Sequence, residues 1–317
     1  MPAAPNLVSA RLPGGAALVP TNRKRRREVR RALLMVAPAV LLVAAIYLYP
    51  ALYTLTLSFA KFDMVRLTIG SSVGFGNYAD LLNNSAFVDA TLRTIYFGLL
   101  IAVSATVIGF LIALLLDQKF YGRTIVRVVV VLPWAVPPVV AGVLWGQMFH
   151  ADVGFVNALL TRVGLIDRYQ IWLGNGWSAL HVIAIAEIWK AIPFMVLFLL
   201  AGLQSLPRHV FEAASVDGAS AGQRFRHMMM PLMIPIVIPL ALIQFVWAMK
   251  AFDTIFVLTR GGPAGGTTTL NYFVYREAFQ TFDLGRASAA AYVLLLVTLF
   301  VVLLSTLFRR FLRRELL

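Results

Sequence analysis

Hydrophobic and polar positions alternate here in long blocks. Six stretches, 33–58, 91–116, 126–149, 178–205, 230–256 and 287–308, are apolar almost throughout. Each is about 20 residues or longer, the length a helix needs to cross ~30 Å of hydrocarbon. The pattern predicts an all-α integral membrane protein with six transmembrane helices. The third stretch holds Pro133, Pro137 and Pro138. A kink is expected there, because neighbouring groups or water can satisfy the carbonyls that proline frees. The loops at 59–88, 150–177 and 257–285 are rich in Gly and Asn, which suits turns. The chain thus divides into a basic N-terminal segment (1–31), a membrane domain (32–310) and a short tail (311–317). The first 22 residues are rich in Pro, Ala and Gly and are expected to be disordered.

Composition supports this reading. The chain is 60% hydrophobic and 13% charged, against about 45–50% apolar residues in soluble domains. So few charges cannot cover a soluble fold of 317 residues. The net charge of +14 raises nucleic acid as a partner, but its placement argues against it. Arg23 to Arg31 precede the first apolar run, and Arg309, Arg310, Arg313 and Arg314 follow the last. Basic clusters beside apolar spans orient them and attract anionic lipid. With both termini inside, 18 of the 28 Lys and Arg fall on inner segments. The expected topology is N-in and C-in. The first apolar run is too long for the core of a cleavable signal. The chain has no cysteine, which excludes disulfides, thiolate metal sites and thiol catalysis.

One polar stretch, residues 212–231, reads "EAASVDGASAGQRFRHMMMP" and joins the fourth and fifth spans on the inner side. Pro207 can open a short helix, 208–216 favours helix, and Gly218 offers a break. A surface helix rooted in two spans can act as a lever, since force on it reaches both. Ala213, Ala214 and Gly218 permit close approach of another backbone, and Glu212 offers a carboxylate.

The spacing of Glu212-Ala213-Ala214, Gly218 and Pro231 resembles the EAA loop of ABC-importer permeases, with Met228 and Met230 in place of the usual Ile and Leu. A second stretch, "LTRGGPAGGTTTLNYFVYREAF" from Leu258, is similar to the outer segment after the fifth span in carbohydrate-uptake permeases. Thr259, Gly261, Gly262, Pro263, Thr267, Tyr272, Tyr275, Ala278 and Phe279 carry that likeness, and "VGFGNY" (Val73 to Tyr78) adds to it. Residues 30–310 thus resemble the maltose-type permease family. The resemblance implies a bacterial inner-membrane subunit with the coupling loop at 207–229. It makes Glu212, Ala213, Ala214, Asp217 and Gly218 the contacts to ATPase subunits. Partners implied are a second homologous permease, two ATPase subunits that carry ATP and Mg, an extracytoplasmic solute-binding protein, and lipid. No cofactor is expected on this chain.

Polar groups inside a bilayer are costly and need a reason. Glu187 and Lys190 lie three apart on one face of the fourth span, where they can pair with each other or serve a solute. Gln244 and Trp247 do the same on the fifth, and Lys250 can pair with Asp253. A carboxylate, an amide and an indole suit a sugar, through hydrogen bonds to hydroxyls and stacking on C–H faces. Alignment with the maltose-type family through Glu212 and Pro231 places the solute contacts at Glu187, Lys190, Ala191, Phe194, Gln244, Trp247, Ala248 and Ala251. Two other classes remain open from the sequence: a membrane-embedded enzyme using Glu187 or Asp253 as a base, and an ion-coupled carrier with Glu187 binding a proton. The chain has no phosphate-binding loop, so it should not hydrolyse ATP. It also has no His-Glu-x-x-His pair and no nucleophile elbow, so neither a metal site nor catalytic residues are expected.

Overall fold

A computed structural model describes the backbone of residues 22–63 and 68–315, with side chains over most of that range. The expectation for residues 1–21 lies outside the described residues. The chain divides into two compact units, Met1–Tyr53 and Thr54–Leu317.

The first unit is helical where described. Helix α1 (Asn22–Val43) passes through a π turn at Ala44–Leu48 into α2 (Tyr49–Ser58). The turn is closed by Tyr49 N–H donating to the Ala44 carbonyl. Pro50 follows at once. A proline ring clashes with the carbonyl four residues back, and a wider turn moves that carbonyl away. The same device recurs at Phe225–Met229, where Met230 N–H donates to the Phe225 carbonyl directly before Pro231.

The second unit is organised by α4 (Ser85–Asp117), α8 (Gly176–Gln204) and α11 (Met230–Met249). Asn84 caps α4, its Oδ1 accepting from Phe87 N–H at 3.2 Å. Asn175 caps α8 by accepting from Trp177 N–H at 2.8 Å. Each cap satisfies a backbone donor that the helix itself cannot. Gly98, Ala102, Ala105, Gly109 and Ala113 form one stripe along α4 and are buried. A Cβ on Gly109 would lie 2.6 Å from Met195 Cβ on α8, and one on Gly98 would lie 2.8 Å from the Phe245 ring on α11. Small residues therefore set how closely these helices approach, as is usual in membrane bundles. Phe97, Ile101, Ile183, Met195, Leu199 and Met233 fill the core around that stripe.

The third apolar run breaks at its prolines, more sharply than a kink. It forms α5 (Arg123–Ala135) and α6 (Pro138–Met148), bent by 103°. Val136 between them is extended, as a residue before proline tends to be. Five other stretches are long and apolar enough to cross a membrane: Val29–Ser58, Ser85–Asp117, Gly176–Gln204, Ala221–Leu258 and Leu284–Thr306. The last belongs to α14 (Leu284–Glu315).

The loops carry more structure than turn propensity suggests. Strands β1 (Ala60–Asp63) and β2 (Thr68–Ser72) form an antiparallel hairpin, so the fold is mostly helical and not wholly so. Short helices α3 (Gly76–Leu82), α7 (Phe155–Arg162) and α13 (Leu270–Phe279) lie in the loops expected outside, while α11 ends at Met249 and the end of the expected fifth span forms a separate helix, α12 (Asp253–Leu258). Buried asparagines organise two of them. Asn77 Nδ2 donates to the Ser58 and Ala60 carbonyls at 2.9 and 3.0 Å. Asn157 Oδ1 accepts from Gln170 N–H at 3.1 Å and from Trp172 Nε1 at 2.8 Å.

Candidate functional site

The polar stretch between α8 and α11 folds as α9 (Arg208–Val216), a turn, and α10 (Ala221–Arg224). Gly218 has φ +81°, the left-handed conformation that glycine adopts without penalty. Gly218 N–H donates to the Ser215 carbonyl at 3.2 Å, and Ala219 N–H to the Ala214 carbonyl at 2.9 Å. These two bonds form a Schellman stop, which satisfies the last carbonyls of α9. The glycine position therefore terminates a helix. A Cβ there would meet nothing within 4 Å in this chain, so within the chain it is backbone conformation and not packing that demands glycine. Ser220 and Gln223 then close a reciprocal cap on α10. Arg224 donates to Ser215 Oγ and to the Ala219 carbonyl, tying α10 back onto α9. The segment is thus a stiff hairpin of two short helices.

Glu212, Ala213, Asp217 and Gly218 are exposed on it, and Ala214 is half-buried. A cleft of about 560 Å³ runs beneath α9, lined among others by Asp117, Lys119, Arg123, Arg208, Phe211 and Glu212. Among the described residues, no ion pair engages Glu212. Its carboxylate is available to a partner.

The second expected site divides. Phe194 on α8 packs against Trp247 on α11 with ring centroids 4.8 Å apart, and Phe198 continues the row at 4.6 Å from Phe194. Trp247 is 48% exposed, so one side of this aromatic row is open. Phe198 was not anticipated, although its i+4 spacing from Phe194 is visible in the sequence. Glu187 does not pair with Lys190. It accepts the Thr254 hydroxyl hydrogen on α12 instead. Lys250 and Asp253 likewise form no ion pair among the described residues. The Lys250 carbonyl accepts from Asn271 Nδ2 at 2.8 Å. Ala191 and Ala248 are 6% and 4% exposed and are packing residues in this conformation. Ala251 is half-buried against the same core. Gln244 is 6% exposed, and its Oε1 is buried without a hydrogen-bond partner. Such an unpaired acceptor is expensive unless water or a solute reaches it.

The segment after α12 forms a knot. Thr259 and Thr267 hydroxyls lie 2.7 Å apart, and Thr267 Oγ1 donates to the Gly262 carbonyl at 2.8 Å. A Cβ on Gly261 would lie 2.6 Å from the Tyr272 ring. The knot is fastened to α4 where Leu270 N–H donates to Thr94 Oγ1 at 2.7 Å. Sequence reading also missed Glu277, a 4% exposed carboxylate facing Arg276 at 3.6 Å and Arg286 at 3.7 Å.

Long apolar helices joined by a stiff polar hairpin are the frame of a multi-pass membrane protein. Residues 105–316 match the family described as the inner membrane component of binding-protein-dependent transport systems, and the chain belongs to that family. It is a permease subunit of an ABC importer and not an enzyme, which sets aside the enzyme and lone-carrier alternatives. The chain is 34% identical to the trehalose/maltose transport system permease protein MalF of Thermococcus litoralis, over 84% of this chain and 88% of that one. It is 33% identical to the sulfoquinovosyl glycerol transport system permease protein SmoG of Agrobacterium fabrum (83% and 85% covered). It is 34% identical to the sn-glycerol-3-phosphate transport system permease protein UgpA of Rhizobium meliloti (84% and 90% covered). The fold is similar to a subunit of a bacterial ABC transporter that imports the acidic polysaccharide alginate. That match has TM-score 0.77 at 23% identity and covers 92% of this chain and 99% of that one. The likeness to the maltose-type family, read from the Glu212 and Leu258 stretches, is borne out.

Proposed function

We propose that this chain spans the membrane six times with both termini inside, its bent α5–α6 pair counting as one span. It forms the path for a sugar or sugar-like solute together with a second homologous permease. An extracytoplasmic binding protein delivers the solute. Two ATPase subunits, carrying ATP and Mg, drive the cycle from the inner face through α9. Glu212, Ala213, Ala214, Asp217 and Gly218 make that contact. The observation that carries this reading is the exposed, rigidly terminated α9 rooted in α8 and α11. Motion of a partner against it is transmitted to both spans that hold the aromatic row, and the path opens to alternate sides.

The solute class is supported by the three relatives, whose names give trehalose/maltose, sulfoquinovosyl glycerol and sn-glycerol-3-phosphate. All three are polyhydroxylated. The Phe198–Phe194–Trp247 row suits the C–H face of such a molecule, and Glu187, Lys190 and Gln244 suit its hydroxyls. The test is a thermal-stability screen of the purified complex and its binding protein across sugars, polyols, glycerophosphodiesters, amino acids and inorganic ions. It is followed by ATP-dependent uptake of the stabilising solute in proteoliposomes. Stabilisation by a polyhydroxylated compound, with uptake, is the expected result. Stabilisation only by amino acids or inorganic ions contradicts the solute class.

A further inference from the structure

Helix α5 packs along α8, leaving a groove of about 200 Å³ between them, lined by Arg127, Val130, Val131, Leu197, Leu200 and Gln204 among others. Its walls are mostly apolar, with Gln204 and Arg127 as the polar members and Ala201 on the α8 side. Its one charged lining residue is Arg127. Arg127 Nε is closed off from solvent and has no hydrogen-bond partner. Among the described residues, no carboxylate forms an ion pair with Arg127. A guanidinium is never neutral in a protein, and one set among apolar side chains at a membrane needs a counter-charge.

The position narrows what supplies it. Arg127 stands one turn into α5, where the charged loop 117–122 gives way to Val128, Val129, Val130 and Val131. Gln204 is the last residue of α8. The groove therefore starts at a charged end of the bundle and runs toward its apolar middle. Arg123, one turn earlier, also has an Nε that is buried and unpaired. Two unpaired guanidinium groups above and apolar side chains below match the layout of a phospholipid.

We propose that this groove holds an anionic phospholipid. Its phosphate rests on Arg127 and Arg123, and one acyl chain lies along Val130, Val131, Leu197 and Leu200. Basic pockets between membrane helices recognise lipid head groups in this way. The head group is net negative and not zwitterionic, because Lys119, Arg123, Arg127 and Arg208 outnumber the nearby carboxylates Asp117 and Glu212. An ammonium would enter a net positive field there. The inference needs only the membrane location that family membership gives. It stands apart from the solute and coupling readings.

The test is native mass spectrometry of the assembled permease complex released from nanodiscs that hold phosphatidylglycerol and phosphatidylcholine in equal amounts. Wild type is expected to retain phosphatidylglycerol preferentially. Arg127→Gln should lower that retention about tenfold, the scale of one lost charge-assisted contact. Ala201→Phe blocks the groove while keeping the charge and should lower it to a similar extent. It decides the matter if the Arg127 variant does not assemble. Arg162→Gln, at an exposed position at the end of α7, should change nothing. Inorganic phosphate should not displace the lipid. Undiminished retention in both groove variants, equal retention of the two lipids, or displacement by free phosphate overturns the proposal. So does a cross-link showing Arg127 paired with a carboxylate of a partner chain.

Discussion

The Glu187 carboxylate on α8 accepts the hydroxyl hydrogen of Thr254 on α12, joining two residues 67 positions apart. The bond fixes a half-buried acid on a long apolar helix and fastens α12 to the helix that leads into α9. Thr254→Val keeps the shape and deletes the donor. Leaving a partly buried acceptor unpaired costs about 1–3 kcal/mol. The purified complex should melt several degrees lower, and Thr254→Ser should melt like wild type. An unchanged Tm for Thr254→Val would remove this bond from the account.

Gly218 ends α9 in a left-handed conformation with open space around it. Gly218→Ala should cost about 1–2 kcal/mol in local backbone strain and loosen the helix end. Asn tolerates that conformation better than Ala. Uptake should therefore fall more for Gly218→Ala than for Gly218→Asn, as measured in proteoliposomes at equal complex concentration. Equal activities would show that the position serves contact and not helix termination.

Gly109 faces Met195 at a distance no side chain can share. Gly109→Leu overpacks the α4–α8 seam and should destabilise by at least 1–3 kcal/mol. Gly109→Leu with Met195→Ala should recover part of that loss. Thermal melting of the four members of this cycle measures the coupling.

The aromatic row predicts a division of labour. Trp247→Ala and Gln244→Ala should change the KM for uptake while ATPase subunits still co-purify. Unchanged uptake kinetics would remove both residues from the path.

The long helices were legible because membrane spans are written in runs of about 20 apolar residues, and a single strand of sequence suffices to see them. Helix α9 was legible to the residue, because Pro207 and Gly218 act on the backbone locally. The 103° break was read only as a kink. Prolines announce a disturbance, but its angle depends on what α5 and α6 pack against. The Asn77 and Asn157 hubs and the Glu277 pairing escaped notice, since their partners lie in other elements or are carbonyls that carry no sequence signal. The i,i+3 pair Glu187 and Lys190 invited a local ion pair. A tertiary neighbour, Thr254, is the partner instead. Ala191 and Ala248 came from alignment alone, and the core claims both.

The most direct test of the coupling reading is a cross-link from α9. The chain has no cysteine, and Val216 at the end of α9 is 88% exposed, so Val216→Cys gives a single reactive site. In the assembled importer it should form a cross-link with an ATPase subunit whose yield changes with bound nucleotide. Adding Glu212→Lys should reduce that yield and abolish uptake. A fully active importer in which Val216→Cys never reaches an ATPase subunit, or in which Glu212→Lys transports normally, would contradict the account.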